Sequence, residues 1–348
     1  MGDKYLEAIE QELHTIIDET MLPLQGTRLY AEFLTMFRYH LGWTDAQGHP
    51  IPADPGKRLR PLLCLLSCEA AGSDSKERMD AWRVAVPAAA AIELVHNFSL
   101  IHDDIQDNSA ERRGRAALWS VWGMAQGINA GDAMFVLARL ALDRLQDQVA
   151  PATYASVHRQ FDAATLALTQ GQFLDISFEG RNQVTKQDYI SMVQGKTAAL
   201  LAASVAIGAR IATDDTRLVQ ALAQYGENLG IAFQIVDDIL GIWGDPAVTG
   251  KSAASDILAK KKSLPILMAW QLDTRGELVA LFAKPTLTRQ DVEQALHVLD
   301  GVHARDLVQA EADRYLDRAL EALEATGQDN PAIRRLRELA CQAARRNK

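Results

Sequence analysis

The chain is predicted to be all-α, and three features of its 348 residues carry that expectation. Apolar residues recur with helical spacing over nearly the whole length. Alternating β-branched runs bounded by tight-turn dipeptides are scarce. Breaks are few and short, and no proline- or serine-rich linker or fixed-period repeat divides the chain, so a single domain over 1–348 is expected.

Taken in order, residues 1–20 alternate charged and apolar side chains and lack the basic start and continuous apolar run of a signal peptide, so a cytoplasmic protein is expected. Residues 44–56 hold three prolines and two glycines and read as a loop. Helices are expected over 62–70 and 84–107, a loop over 108–115, then helices over 119–145, 153–173, 189–211, 218–243, 263–272 and 302–323. Gly244-Asp245-Pro246 should stop the 218–243 helix, because proline cannot continue it, and Thr288 with Asp291 resembles a capping box opening another. The alanine-rich runs 88–94 and 198–206 are bounded by charge short of the roughly 20 residues a membrane span needs, and read as buried helices.

Composition narrows the partners. With 48% hydrophobic and 23% charged residues the chain can bury a sizeable core. A net charge of -9 argues against nucleic acid, yet basic residues gather around Lys57, Arg58 and Arg60, around Arg112, Arg113 and Arg115, and over Lys260, Lys261 and Lys262. Such islands in an acidic protein suggest an anionic ligand, although a lysine run also serves as solvated surface. Cys64 and Cys68 share a helical face with no partner at zinc-like spacing and read as core.

The most informative stretch is 100–107, which places Asp103, Asp104 and Asp107 on an otherwise apolar helix. Residues i and i+4 share a face, so Asp103 and Asp107 converge while Asp104 flanks them. A second pair, Asp237-Asp238, follows an apolar run and has Leu240, Ile242 and Trp243 still to come. Acidic pairs near helix ends also act as caps, but mid-helix carboxylates are costly to bury bare. Two such clusters suggest facing walls of one site, and all-oxygen ligands suit magnesium. His96 lies nearly above Asp103, and Arg112 and Arg113 follow in the loop, so cations flank the carboxylates and the implied ligand is a diphosphate. Gly195-Lys196-Thr197 and Gly250-Lys251-Ser252 invite a nucleotide reading, but a P-loop needs a further glycine where Ile190 and Asp245 stand. Lys196 and Lys251 remain candidates for contacting phosphate.

In this order the pieces resemble the trans-isoprenyl (polyprenyl) diphosphate synthase family. They are Gly56-Lys57-Arg58-Leu59-Arg60-Pro61, Glu93-Leu94-Val95-His96, residues 100–107 with Arg112-Arg113-Gly114, Gly131-Asp132, Gly195-Lys196-Thr197, Phe233-Gln234-Ile235-Val236-Asp237-Asp238, and Gly250-Lys251 through Asp256 to Pro265. The resemblance implies one bundle of antiparallel helices around a central cavity, with the family motifs over 56–265. It implies that Asp103, Asp107 and Asp237 bind three Mg2+ ions, with Asp104 and Asp238 supporting and Mn2+ a substitute. Arg112, Lys196, Gln234 and Lys251 match the residues around an allylic diphosphate, either dimethylallyl, geranyl or farnesyl. Lys57, Arg60, His96 and Arg113 match an isopentenyl diphosphate pocket, and Thr197 and Lys261 join the substrate-binding set. The implied activity is a prenyltransferase acting as a homodimer, with no membrane span.

Two positions depart from the family pattern: Gly241 stands where many members have a third aspartate, and Ala254 where a glycine is expected. A class I terpene cyclase would share the fold but would not need Lys57, Arg60, His96 and Arg113; a non-catalytic partner subunit would not need Asp103, Asp107 and Asp237. For product length, Ser99 lies one turn and Val95 two turns below Asp103, and Phe98 is the nearest bulky side chain. Phe98 is either core packing or the floor of the chain pocket. An aromatic at the fifth position upstream alone resembles geranylgeranyl diphosphate synthases, so twenty carbons is the expected product, with farnesyl and geranylfarnesyl diphosphate as alternatives.

Overall fold

A computed structural model describes residues 3–21, 28–51, 56–72, 80–181, 183–245 and 254–344. Of the described residues 78% are helical, as the periodicity predicts. It divides into two compact units, one of residues 1–161 and 204–219 and the other of 162–203 and 220–348.

The first unit holds α1 (Asp3–Met21), α2 (Arg28–His40), α3 (Leu59–Ala71) and α4 (Val86–Gln106), which follows a 3-10 turn at Ala81–Ala85. Pro87 sits in the first turn of α4, where its missing N–H costs nothing. The helix ends where Asn108 turns left-handed (φ 50°) and the Ser109 N–H bonds back to the Asp104 carbonyl. The expected loop at 108–115 contains a two-stranded hairpin, β1 (Glu111–Arg112) with β2 (Arg115–Ala116). Its two-residue turn has positive φ at both Arg113 (52°) and Gly114 (71°), as a type I′ turn requires. The helix expected over 119–145 is two, α5 (Leu118–Trp122) and α6 (Met124–Asp143), because Gly123 adopts φ 85° between them. Helix α4 packs along α6. The approach needs glycine: a Cβ at Gly131 would lie 2.2 Å from His102 Nε2, and one at Gly127 2.7 Å from Ile105 Cδ1.

The second unit takes the end of α7 (Pro151–Glu179), α8 (Lys186–Val193), a single π turn (Gln194–Ala198), the start of α9 (Ala199–Ala212) and most of α10 (Thr216–Trp243). It continues with α11 (Ser255–Leu258), α12 (Leu264–Leu272), α13 (Glu277–Phe282), α14 (Arg289–Gly301), α15 (Ala304–Glu324) and α16 (Pro331–Ala344). The capping box at Thr288 and Asp291 forms as expected and opens α14. One buried cluster joins Tyr189, Ile235, Ile239 and Leu264, and a second joins Ile242, Ile257, Ile266 and Leu299. Helices α2 and α16 lie outside the runs that periodicity picks out.

The alanine-rich runs belong to longer helical stretches than their bounding charges suggest. Ala81–Gln106 and Lys186–Ala212 are long and apolar enough to cross a membrane by length and composition. Yet 72% and 67% of their most apolar windows are buried inside the protein, as in core helices.

Candidate active site

In the first unit, the sequence Gly56-Lys57-Arg58-Leu59-Arg60 sends its side chains to different tasks. Gly56 (φ 88°) and Arg58 (φ 45°) are left-handed, so the chain enters α3 sharply bent. Arg58 points inward, where its Nε donates to Glu10 (2.6 Å) and its Nη1 to Glu93 (2.7 Å), and Asn97 Nδ2 donates to the same Glu93 carboxylate. Lys57 is exposed, whereas Arg60 Nη1 lies 3.2 Å from His96 Nε2. Burial, followed by Arg60, Arg113, Arg112 and Arg58, holds the His96 imidazole well below its usual pKa. It is therefore neutral, and its Nε2 accepts from Arg60. The guanidinium of Arg113 covers Gly56, where an added Cβ would come within 2.7 Å of Nη2. Lys57, Arg60, His96 and Arg113, expected to share one anion pocket, thus lie on elements that meet here.

Seven residues further along α4, the carboxylates divide. Asp104 is buried and both its oxygens accept from Arg112 Nε at 2.9 and 2.8 Å, with Nη2 2.7 Å from Oδ1. Asp103 keeps a fifth of its side chain exposed and lies 3.6 Å from Arg112 Nη2. Asp107, one turn on, is half-buried.

The second unit repeats the division. Asp238 is buried; its Oδ2 accepts from the Tyr189 hydroxyl (2.7 Å) and the Leu264 N–H (3.0 Å), and its Oδ1 from Gln234 Nε2 (3.1 Å). Gln234 in turn accepts from the Thr197 hydroxyl at 2.7 Å. Burial pushes the Asp238 carboxyl up to about 7, with Asp256 adding to the rise and the three donors opposing it. Asp237, its neighbour, is half-buried. The carboxylates of Asp104 and Asp238, expected to support metal binding, accept hydrogen bonds from Arg112 and from the Tyr189, Leu264 and Gln234 donors respectively.

Lys196 sits in the π turn, an irregularity that re-aims a side chain without ending a helix. Two glycines hold that turn close: a Cβ at Gly171 on α7 would lie 2.0 Å from Lys196 N, and one at Gly230 on α10 would lie 2.6 Å from Ala198 Cα. The result is an ion pair between Lys196 Nζ and Asp175 Oδ2 at 2.5 Å. Lys261 is exposed, with its backbone N–H on the Asp256 carbonyl at 2.9 Å. Lys251 lies outside the described residues. Sequence reasoning passed over Asp175 and Tyr189. The Asp175 signal, Gly171 four residues before it, has meaning only once Gly195 is known to be its neighbour in space.

The chain-length candidates fall on different faces of α4. Val95 is fully buried, and Ser99 donates to the His96 carbonyl at 2.7 Å. Phe98 packs on Phe135 of α6, with ring centroids 5.3 Å apart, and on His102 at 5.8 Å. At 100° per residue it lies about 140° around the helix from Asp103, whereas Ser99 lies about 40° away.

Paired carboxylates and clustered cations thus stand on helices of an all-α scaffold. The profile of the Polyprenyl synthetase family matches residues 43–299. The chain is 38% identical over 335 residues to a geranylgeranyl diphosphate synthase of Mycobacterium tuberculosis, covering 95% of this chain and 89% of that one. It is 36% identical over 341 residues to a (2E,6E)-farnesyl diphosphate synthase of the same species, covering 94% and 89%. Its fold is similar to the crystal structure of a polyprenyl synthetase from Streptomyces coelicolor A3(2), with a TM-score of 0.86 and 35% identity over 98% of both chains. The chain belongs to the polyprenyl synthetase family and is a short-chain trans-prenyltransferase.

Proposed function

We propose that the protein joins an allylic diphosphate to isopentenyl diphosphate, and that it works as one catalytic domain. The observation that carries this reading is the pairing, on a single helix face, of the basic group at His96 with the carboxylates at Asp103 and Asp107. Seven residues separate the two, about 10 Å along α4, which gives room for two diphosphates. A cyclase would have no use for the Arg60, His96 and Arg113 group.

Asp103, Asp107 and Asp237 would hold Mg2+, with Mn2+ a substitute. The donor set fits: hard carboxylate oxygens, half-buried, with no thiolate or imidazole among them. Mg2+ held by one or two carboxylates keeps positions for substrate phosphates, so oxygens of a bound diphosphate would share the ions with these aspartates. When bound, the ions neutralise charge building on the departing diphosphate. Asp104 and Asp238 serve as positioning residues, the first for Arg112 and the second for Gln234 and Thr197. Arg112, Lys196, Lys251 and Gln234 hold the allylic diphosphate, with Thr197 and Lys261 contributing. Its C–O bond breaks to give an allylic cation and diphosphate. The double bond of isopentenyl diphosphate, held by Lys57, Arg60, His96 and Arg113, attacks the cation. The new C–C bond lengthens the chain by five carbons, and a proton leaves to the departing diphosphate.

The two pockets give separable kinetics. Lys57→Ala and Arg60→Ala raise the KM for isopentenyl diphosphate, whereas Lys196→Ala lowers kcat with the allylic substrate. Each loss is about 1.5–3 kcal/mol, or roughly tenfold or more. Michaelis constants for both substrates in each variant check this, and equal effects on both substrates would reject the pocket assignment.

Product length is proposed to be twenty carbons. Ser99 and Val95 leave the face below Asp103 lined by small side chains, while Phe98 is turned toward α6. Incubation with isopentenyl diphosphate and dimethylallyl, geranyl or farnesyl diphosphate, followed by sizing of the dephosphorylated products, gives geranylgeraniol as the main species. Arrest at fifteen carbons would make the floor shallower than these residues imply.

A homodimer is proposed as well. Met124, Ile128, Val136 and Leu140 lie four or eight residues apart along α6 and are between 39% and 54% exposed, apolar surface on both sides of the exposed Asp132 and suited to a second copy. Light scattering at micromolar concentration gives twice the chain mass, and a single-chain mass rejects the dimer.

A further inference from the structure

In the second acidic cluster, position 241 lies one turn after Asp237 and on the same face of α10, as Asp107 does relative to Asp103. It is glycine, and the space where its side chain would stand is filled. A Cβ built on Gly241 would lie 2.2 Å from Asp256 Oδ2, 2.5 Å from Cγ and 2.9 Å from Oδ1, so the whole Asp256 carboxylate rests on the glycine. No other residue admits it without a shift.

The segment carrying Asp256 is anchored from below. Ala254 is buried and its methyl packs with Ile242, Ile257 and Ile266, although its backbone is left-handed at φ 56°. That conformation costs an alanine about 1–2 kcal/mol, which the buried methyl helps offset. The Ala254 carbonyl accepts from the N–H groups of Ile257 and Leu258, and the Asp256 carbonyl accepts from Lys261. Backbone bonds and packing therefore fix where Asp256 stands.

We propose that Asp256 is a metal-site positioning residue: its carboxylate, seated on Gly241, supplies from a neighbouring segment the charge one turn below Asp237 that α10 does not carry. The two departures from the family pattern, Gly241 and Ala254, are then one arrangement, the first making room and the second holding the segment in it. The proposal rests on the reading that Asp237 faces a divalent ion.

The test is Mn2+ affinity in the presence of inorganic pyrophosphate, read by electron paramagnetic resonance of the free ion, with melting temperature recorded to verify folding. Asp256→Asn and Gly241→Ala each weaken the pyrophosphate-dependent affinity about tenfold, the range expected for groups that orient a metal site. The double variant Gly241→Asp with Asp256→Ala returns to within about threefold of wild type, because the carboxylate is supplied from α10 into the vacated space. Wild-type affinity in Asp256→Asn, with affinity lost in Asp103→Ala, would overturn the proposal while leaving the metal reading intact. Loss in Asp256→Asn without recovery in the double variant would also overturn it, as a merely structural role. Unchanged affinity in Asp103→Ala would sink the metal reading itself.

Discussion

Replacing Asp103 by alanine lowers kcat by on the order of 10³ while leaving the melting temperature nearly unchanged. The carboxylate is partly exposed at the end of α4, so its loss opens no core cavity, and Arg112 keeps its bonds to Asp104. What disappears is charge that acts only when a diphosphate departs. Excess chelator has the same effect on the wild type. Steady-state rates with saturating substrates and Mg2+ check the first statement, and a thermal melt the second. Full activity of the variant, or of the wild type in chelator, would remove Asp103 from the chemistry.

Asp238→Ala has the opposite signature, with a large loss of stability. The truncation leaves the Tyr189 hydroxyl, the Leu264 N–H and the Gln234 amide without their acceptor in a buried region. Orphaned donors cost about 1–3 kcal/mol each, so a loss of at least about 3 kcal/mol is expected in all. Gln234 and Thr197 also lose their register, and kcat falls with stability. The same residue gives a pH signature against Asp238→Asn, which cannot titrate. The folded Asp238 carboxyl has a pKa of about 7, against an ordinary value of 3.8. The folded chain therefore keeps a proton that the unfolded chain has lost, and the stability from that proton is full below about pH 4 and lost as pH rises to about 7. The melting temperature of the wild type relative to Asp238→Asn thus falls across that window. A difference that is flat in pH, or a mild effect of Asp238→Ala, would mean that this carboxylate is neither buried nor needed.

These two variants mark the boundary of what the sequence discloses. Asp103 and Asp107, Asp237, Lys196 and the Lys57 to Arg60 group stand out as candidates because the pattern that selects them is written in short spacings: i and i+4 carboxylates on one helix, or cations in one turn. The difference between Asp103 and Asp104, or Asp237 and Asp238, is not written in spacing and enters the sequence reading only through the family resemblance. It depends on which face each helix buries, and on Arg112, Tyr189 and Leu264 arriving from elsewhere. The pairing of Lys196 with Asp175 likewise requires Gly171 and Gly195 to meet across two helices. The hairpin at 111–116 escaped notice because its strands are two residues long, and its turn puts Arg113, not the usual asparagine or aspartate, in a left-handed position. The break at Gly123 is one residue of positive φ inside an otherwise continuous apolar pattern. Helical content, by contrast, follows from periodicity alone, and the capping box at Thr288 from three residues of sequence.

The most direct test of the reading as a condensing enzyme is the dependence of diphosphate release on the second substrate. The purified protein is incubated with Mg2+ and farnesyl or geranyl diphosphate, with and without isopentenyl diphosphate, and both inorganic pyrophosphate and the organic products are quantified. One pyrophosphate for each five-carbon extension, and essentially none without isopentenyl diphosphate, is the predicted result. Pyrophosphate released at full rate from the allylic substrate alone, with a cyclic hydrocarbon or an alcohol as product, would contradict it.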